Sequence, residues 1–232
     1  GQVKAQKKSP PYISPQSKAW ADSTMNTLSR RDKIAQLFMV SAYSGGDSYN
    51  KPLIDSLINI YHIGGLIFFQ GGPVRQANLT NQYQTASKIP LLIGFDGEWG
   101  LSMRLDSVMR FPRQMTLGAM PDRKLIYDMG VEIARQCKLL GIHINFAPDI
   151  DINNNPENPV INSRSFGEKK EEVTERGLLY MNGMQDNKVL ACAKHFPGHG
   201  NTNVDSHYSL PVISQSAGEI DSVELFPFRK LI

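Results

Sequence analysis

The sequence predicts an α/β protein with a parallel sheet, of the (β/α)8 TIM-barrel type. Short and almost continuous apolar runs alternate with longer segments of helical periodicity, as expected when helices cover a parallel sheet. Three of these runs end on the charged residues Asp96, Asp149 and Lys194. Charged side chains at the carboxyl ends of parallel strands typically line a ligand site. An open, doubly wound sheet is the alternative, but no GxGxxG motif follows the first strand.

Apolar runs and helix boundaries define the elements in order. The predicted strands are 37–40, 64–69, 90–96, 142–148 and 189–193. The first helix follows a capping-box-like Ser29-Arg-Arg-Asp32, and Pro52 suits the first turn of the second. Further helices are predicted over 74–87, 122–140, 168–187 and 216–232. The helix over 122–140 ends before Gly141, which takes the usual C′ position.

Composition and length limit the domain organisation. The chain has 232 residues, 41% of them hydrophobic, and a formal charge of +3. Four lysines lie in the first 18 residues, so the remainder is near neutral and no nucleic-acid footprint is expected. No stretch approaches the ~18 uncharged apolar residues of a membrane span. We predict an extended arm over residues 1–20 and one barrel portion over 21–232, truncated after about five strand–helix units because eight usually need ~250 residues.

The segment 189–211 carries most of the chemistry. Its strand ends at Lys194-His195, and the loop beyond contains Asp205 and His207, two residues apart. A carboxylate that accepts the Nδ1–H of an imidazole fixes its tautomer and leaves Nε2 for proton transfer, so the pair is a candidate general acid/base. The alternative is a loop pair that only hydrogen-bonds its own turn.

Other interpretations of the polar residues are weaker. The spacing of His195, His199 and His207 matches no zinc signature, and Lys194 is unfavourable beside a cation, so no metal is predicted. The glycines around His199 lack Walker spacing and are better explained by close approach to a ligand or by loop hinging. Arg164 is expected to clamp a substrate or to pair with a loop Asp. Trp99 is expected in the core, or else as a sugar-stacking platform.

Three segments resemble one known family. Residues 194–211, Lys-His-Phe-Pro-Gly-His-Gly-Asn-Thr-Asn-Val-Asp-Ser-His-Tyr-Ser-Leu-Pro, are similar to the signature of bacterial β-N-acetylglucosaminidases of glycoside hydrolase family 3, which usually has Asp in place of Asn201. Residues 158–167 and 93–100 resemble two further segments of that family.

The resemblance implies an eight-unit barrel, without a cofactor, that removes terminal β-linked N-acetylglucosamine with retention (an exo-β-N-acetylhexosaminidase). It implies that His207, oriented by Asp205 on a mobile loop, is the acid/base. The residues expected to hold the sugar are Asp96, Arg164, Lys194 and His195. The family's nucleophile is an Asp on a later strand, and the acids after His207 lie on a predicted helix. We therefore expect additional C-terminal sequence that supplies the nucleophile, and an inactive chain without it.

Alternatives within and outside the family stay open. A β-glucosidase usually takes a carboxylate acid/base from another domain, so the Asp-Ser-His triplet favours the N-acetylglucosaminidase branch. The other two alternatives are an N-acetylglucosaminide phosphorylase of the same family and a non-catalytic sugar-binding module. The natural glycan is equally open between a peptidoglycan fragment, chitobiose and a host glycan. The start without Met and the basic arm favour a bacterial envelope or periplasmic location over the cytoplasm.

Overall fold

The computed structural model describes residues 14–205, 208, 210–213 and 215–232, and a five-stranded parallel sheet lies at its centre. The strands are β1 (Met39–Ala42), β2 (Gly65–Phe68), β3 (Leu92–Phe95), β4 (Ile144–Asn145) and β5 (Leu190–Ala191). They lie side by side in chain order, each parallel to the next. A doubly wound sheet would reverse its order at a switch point, whereas consecutive order is that of a β/α barrel. The predicted fold class is confirmed.

Nine helices surround the sheet in the described part of the chain. They are α1 (Pro15–Thr27), α2 (Arg30–Ala35), α3 (Lys51–Asn59), α4 (Pro73–Ala86), α5 (Gln114–Gly118), α6 (Lys124–Leu139), α7 (Lys170–Asp186), α8 (Ala217–Ser222) and α9 (Leu225–Leu231). The start signals in the sequence are confirmed: Ser29 caps α2 by accepting from the Asp32 N–H, and Pro52 lies in the first turn of α3. Within the described residues no helix combines the length and apolarity needed to cross a bilayer.

The core lies between the outer face of the sheet and the helices. Leu66, Phe68, Ile93 and Phe95 alternate along β2 and β3 and are completely buried there, as period-two strands require. Helices α6 and α7 pack closely because two glycines face each other across the contact: a Cβ added at Gly130 would lie 3.2 Å from the Cα of Gly183.

The structure differs from the predicted elements at several places. Residues 15–20 are not extended, because Pro15 and the Ser14 capping box begin α1 there; residues 1–13 lie outside the described part, and the boundary at residue 20 stays a prediction. The helix predicted over 216–232 is two helices, separated at Val223 and Glu224, where the Glu224 side chain turns inward to accept from Asn154. Helix α5 was not predicted, since five residues carry no helical period.

Candidate active site

The residues expected to hold a sugar meet at the carboxyl edge of the sheet. Asp96 directly follows β3, and Lys194 follows β5 by three residues. The Lys194 Nζ donates to Asp96 Oδ1 at 2.6 Å, and the Arg164 guanidinium lies 3.1 Å from His195 Nε2. The structure therefore brings Asp96, Arg164, Lys194 and His195 together, although the first and last are 99 positions apart (195 − 96).

Glu98 lies in the same group, although the sequence did not predict it as a site residue. Its side chain is fully buried and accepts two hydrogen bonds from Arg164, to Oε2 at 2.9 Å and to Oε1 at 2.6 Å. Lys194 Nζ lies 2.9 Å from the same Oε1. Arg164 thus pairs with an acid in the turn after β3, where a loop Asp had been the predicted alternative. The signal that could have found Glu98 is its position two residues beyond Asp96.

Asp149 and Asp151, which follow β4, complete the group. Asp149 and Lys194 form an isolated parallel bridge, which continues the ladder of β4 and β5 beyond their ends. Both aspartates are almost completely buried. We call the following seven residues the ion cluster. They are Asp96, Glu98, Asp149, Asp151, Arg164, Lys194 and His195.

Burial and pairing set the charges of the cluster. Burial alone raises the pKa of the Asp96 carboxyl, but the Lys194 ammonium and the Arg104 guanidinium hold it below its ordinary value. Burial likewise opposes ionisation of Glu98, and Arg164 and Lys194 hold its pKa low. Although burial lowers the pKa of Lys194, Glu98 and Asp96 raise it above its ordinary value. These groups are therefore ionised at neutral pH, as strongly coupled pairs.

Asp151 fixes the orientation of His195. Its Oδ2 lies 2.6 Å from His195 Nδ1, and its Oδ1 accepts from the His199 N–H at 2.7 Å. Because the Arg164 Nη2 that faces His195 Nε2 can only donate, Nε2 accepts and the proton lies on Nδ1. His195 is thus assigned, on hydrogen-bonding grounds, as the neutral Nδ1–H tautomer.

Asp149 has the most unfavourable position in the cluster. It is fully buried, and its Oδ2 accepts no hydrogen bond from the described residues. That oxygen lies 3.7 Å from Arg164 Nε and 3.8 Å from His195 Nδ1. Burial, with the neighbouring Asp151 and Glu98 carboxylates, raises the pKa of Asp149 well above its ordinary value.

The donors present do not fit a resident metal ion. Glu98, Asp149 and His195 offer ligand atoms within 4.8 Å of one another. However, the Arg164 guanidinium and the Lys194 ammonium already bind both oxygens of Glu98. A divalent cation would add its charge to two cations at hydrogen-bonding distance, so this arrangement opposes metal binding.

The loop after β5 is anchored up to the predicted acid/base pair. Asn158 Nδ2 donates to the carbonyls of His199 and Gly200 at 2.7 and 3.2 Å. A Cβ added at Gly200 would lie 1.7 Å from the Ile152 carbonyl oxygen, so this glycine permits contact within the protein instead of the expected approach to a ligand. Asp205 is described and partly exposed, whereas His207 lies outside the described residues. The Asp205–His207 pair stays a prediction.

The cluster retains polar atoms that can meet a sugar. Lys194 Nζ has three N–H groups, of which Asp96 and Glu98 take two. Arg164 Nη1 makes one long contact, 3.4 Å to the Val160 carbonyl. The Asp96 side chain is 18% exposed and the Arg164 side chain 18%. Two donors and a carboxylate acceptor, held rigidly at one edge, suit the recognition of neighbouring hydroxyl groups.

Comparison with known proteins assigns the family. The model of the glycosyl hydrolase family 3 N-terminal domain matches residues 29–232, and the chain belongs to this family. Beta-hexosaminidase A of Pseudoalteromonas piscicida is 40% identical over 194 residues, which are 78% of this chain and 32% of that protein.

Solved structures agree with this assignment. A family 3 β-N-acetylglucosaminidase from Paenibacillus sp. str. FPU-7 superimposes with a TM-score of 0.82 at 39% identity, over 89% of this chain and 40% of the other. Beta-glucoside phosphorylase BglX bound to 2FGlc gives a TM-score of 0.87 at 28% identity, over 96% and 40%. The chain spans between 32% and 52% of the length of the first curated relatives that it matches.

Proposed function

We propose that the protein containing this chain is a retaining exo-β-N-acetylhexosaminidase that removes terminal β-linked N-acetylglucosamine. The observation that carries the proposal is the convergence of Asp96, Arg164, Lys194 and His195 at one edge of the sheet, in a chain 40% identical to a β-hexosaminidase. Asp96 and Lys194 bind hydroxyl groups of the sugar, and Arg164 donates through Nη1. His195 supports Arg164 through Nε2.

In the proposed reaction, His207 protonates the leaving oxygen and then deprotonates water. Asp205 orients its imidazole. A retaining mechanism also needs a nucleophilic carboxylate. In this proposal it comes from outside residues 1–232, because the resemblance to the family places it on a strand later than β5. General acid/base catalysis is typically worth ~10²–10⁴-fold in rate.

The test uses the full-length protein with aryl β-N-acetylglucosaminide and aryl β-glucoside. We expect a strong preference for the N-acetyl sugar and a fall in kcat of roughly 10²-fold or more in His207→Ala, with unchanged circular dichroism. Lys230→Ala, on the exposed last turn of α9, is the control. Equal turnover by wild type and His207→Ala would refute the assignment of the acid/base.

A phosphorylase is the second candidate. The observation that favours it is the TM-score of 0.87 to the structure of a β-glucoside phosphorylase. A histidine acid/base is compatible with an incoming phosphate, since a neutral base does not repel the anion. Turnover in the presence of inorganic phosphate separates the candidates: release of the sugar 1-phosphate identifies phosphorolysis, and release of the free sugar alone identifies hydrolysis.

We also propose a bacterial envelope or periplasmic location, from the basic residues at positions 4, 7, 8 and 18. Cell fractionation with an antibody against the chain tests it. Recovery with cytoplasmic markers would reverse the proposal.

A further inference from the structure

A buried asparagine in the long loop after β4 holds the first part of the loop after β5. Asn158 is almost completely buried, and its Nδ2 donates to the carbonyls of His199 and Gly200 at 2.7 and 3.2 Å. The His199 N–H is bound at the same time by Asp151 Oδ1 at 2.7 Å. This turn of the loop is therefore fixed from two sides, by the ion cluster and by Asn158.

The oxygen of the same amide fixes the turn that carries Arg164. Asn158 Oδ1 accepts from the Val160 N–H at 2.9 Å and from the Ile161 N–H at 2.8 Å. The Ile161 carbonyl in turn accepts from the Arg164 N–H at 2.7 Å. One neutral side chain thus joins the turn of Arg164 to the loop that leads to Asp205, and it adds no charge beside the ion cluster.

A second asparagine holds the same loop nearer to the predicted acid/base pair. Asn155 Nδ2 donates to the Thr202 carbonyl at 3.2 Å and to Asn203 Oδ1. Asn203 lies two residues before Asp205. Because each freed residue adds ~3.5 Å to the reach of an extended chain, loss of this contact would widen the positions open to Asp205. Catalytic groups need placement to within about 1 Å, so a fixed point this close to the pair is valuable.

We propose that Asn158, with Asn155 as a second tether, is a positioning residue for general acid catalysis. It sets the loop of Asp205 and His207 in register with the sugar that Arg164 holds. The two asparagines act through the placement of the proton donor, and the affinity for the sugar does not depend on them. The inference rests on the proposed function for the identity of the acid/base.

The test uses the full-length protein and two aryl β-N-acetylglucosaminides that differ only in the leaving group. Dinitrophenolate leaves without a proton, whereas phenolate needs one from the acid. In Asn158→Ser the hydroxyl group can still accept from the N–H groups that follow it, but it is too short to reach the His199 carbonyl. We expect kcat/KM to fall about tenfold for the phenyl substrate and to stay unchanged for the dinitrophenyl substrate. The inhibition constant of free N-acetylglucosamine, which reports on the sugar site, should also be unchanged.

Two further variants complete the series. Asn155→Ser changes a partly buried position, where a folding defect is less of a risk, and should lower kcat/KM for the phenyl substrate by about fivefold, as expected for one hydrogen bond. Asn187→Ser is the matched control: Asn187 Nδ2 also donates to a backbone carbonyl, that of Gly183 at 2.9 Å, but at the end of α7 on the opposite edge of the sheet. It should leave both substrates unaffected.

The pattern of losses decides between positioning and general support of the site. Equal losses for both substrates in Asn158→Ser, or weaker inhibition by N-acetylglucosamine, would show that Asn158 only supports the turn of Arg164, and would overturn the proposal. Unchanged kcat/KM for the phenyl substrate in both Asn158→Ser and Asn155→Ser would overturn it as well.

Hydrogen exchange distinguishes this inference from the proposed function. We expect the backbone amides of residues 199–205 to exchange at least about fivefold faster in Asn158→Ser than in wild type, because local opening of the loop no longer breaks these bonds. If wild type hydrolyses neither substrate, the proposed function fails, but faster exchange would still support Asn158 as the residue that holds the loop. Hydrolysis by wild type, with equal exchange in the two proteins, would leave the function standing and remove the role of Asn158.

Discussion

The two edges of the sheet differ in how far their charged side chains are withdrawn from water. At the carboxyl edge, four carboxylates, two fixed cations and one imidazole are largely withdrawn from water in the ion cluster. At the amino edge, a groove of about 760 Å³ is lined by apolar residues such as Leu92 and Leu190 together with uncharged polar residues such as Asn81, and Lys188 is the one Lys or Arg among its described residues. An ion pair before the first two strands, between His62 Nδ1 and Asp32 Oδ1, spans 2.8 Å, and its side chains stay 30% and 20% exposed. Buried charge is expensive unless every member is paired, so the carboxyl edge depends on each partner and the amino edge does not.

The largest effect is expected from Glu98→Gln. The change leaves two buried cations without their shared carboxylate, which typically costs about 3–5 kcal/mol in the free energy of unfolding. Urea denaturation of wild type and variant measures it. Glu132→Gln, on the surface of α6, removes an exposed pair with Arg135 and should cost below ~1 kcal/mol. If both variants lost a similar free energy of unfolding, the expected difference between buried and exposed ion pairs would be wrong.

The next effect is on the tautomer of His195. Asp151→Asn replaces an acceptor that receives hydrogen bonds from the His195 side chain and from the backbone of His199. We expect the ¹⁵N shifts of the imidazole to move away from those of the Nδ1–H form, and kcat/KM of the full-length protein to fall at least about tenfold. The signal is assigned by its loss in His195→Gln. Asp186→Asn, whose carboxylate contacts Tyr127 at the surface, serves as the control. An unchanged imidazole spectrum in Asp151→Asn would contradict the assignment.

A change in pH should distinguish Asp149 from its neighbours. Its pKa is raised in the folded protein, mainly by burial, so the folded state binds this proton more tightly than the unfolded chain. Stability is therefore highest below the ordinary Asp pKa of ~3.9 and declines as pH rises towards the raised value. We expect Asp149→Asn to remove this decline, so that the Tm difference from wild type favours the variant increasingly between pH 4 and pH 8. A difference independent of pH would show that Asp149 is ionised in the folded state.

The smallest effect is expected at the amino edge. A hydrogen bond from His62, with another from Ser29, lowers the pKa of Asp32 to about 2. Its contribution is present above the ordinary Asp pKa of ~3.9 and is lost as pH falls towards 2. Asp32→Asn should therefore lower Tm slightly at pH 7, and the difference from wild type should shrink below about pH 4. Thermal scans at several pH values check this. If Asp32→Asn lost as much stability as Glu98→Gln, the two edges would not differ in their dependence on charged partners.

Local sequence patterns predicted the repeating units well. The apolar runs of β2 and β3 and the starts of α2 and α3 are encoded by adjacent residues, and all four agree with the structure. The runs 142–148 and 189–193 were predicted longer than their strands. Only two residues of each form the ladder between β4 and β5, because the chain then leaves the regular ladder towards the Asp149–Lys194 bridge.

The site was predictable where a residue stands at the end of a strand. This position identified Asp96, Lys194 and His195 as candidates. Arg164 was identified because it is a lone cation in a polar loop. Glu98 and Asp149 could not be assigned their partners, because their contacts with Arg164 span 66 and 15 positions (164 − 98 and 164 − 149) and depend on how the loops fold together. The resemblance supplied the role of His207, which local physics alone left as one of two alternatives.

The shared carboxylate of Glu98 restricts how this site can change over generations. Loss of Lys194 or Arg164 by mutation would leave Glu98 with half of its compensation, and loss of Glu98 would leave both cations without it. The effect of each substitution therefore depends on which residues are already present at the other two positions. Such strong epistasis closes most single-step mutational routes, so we expect the three positions to be inherited as a unit.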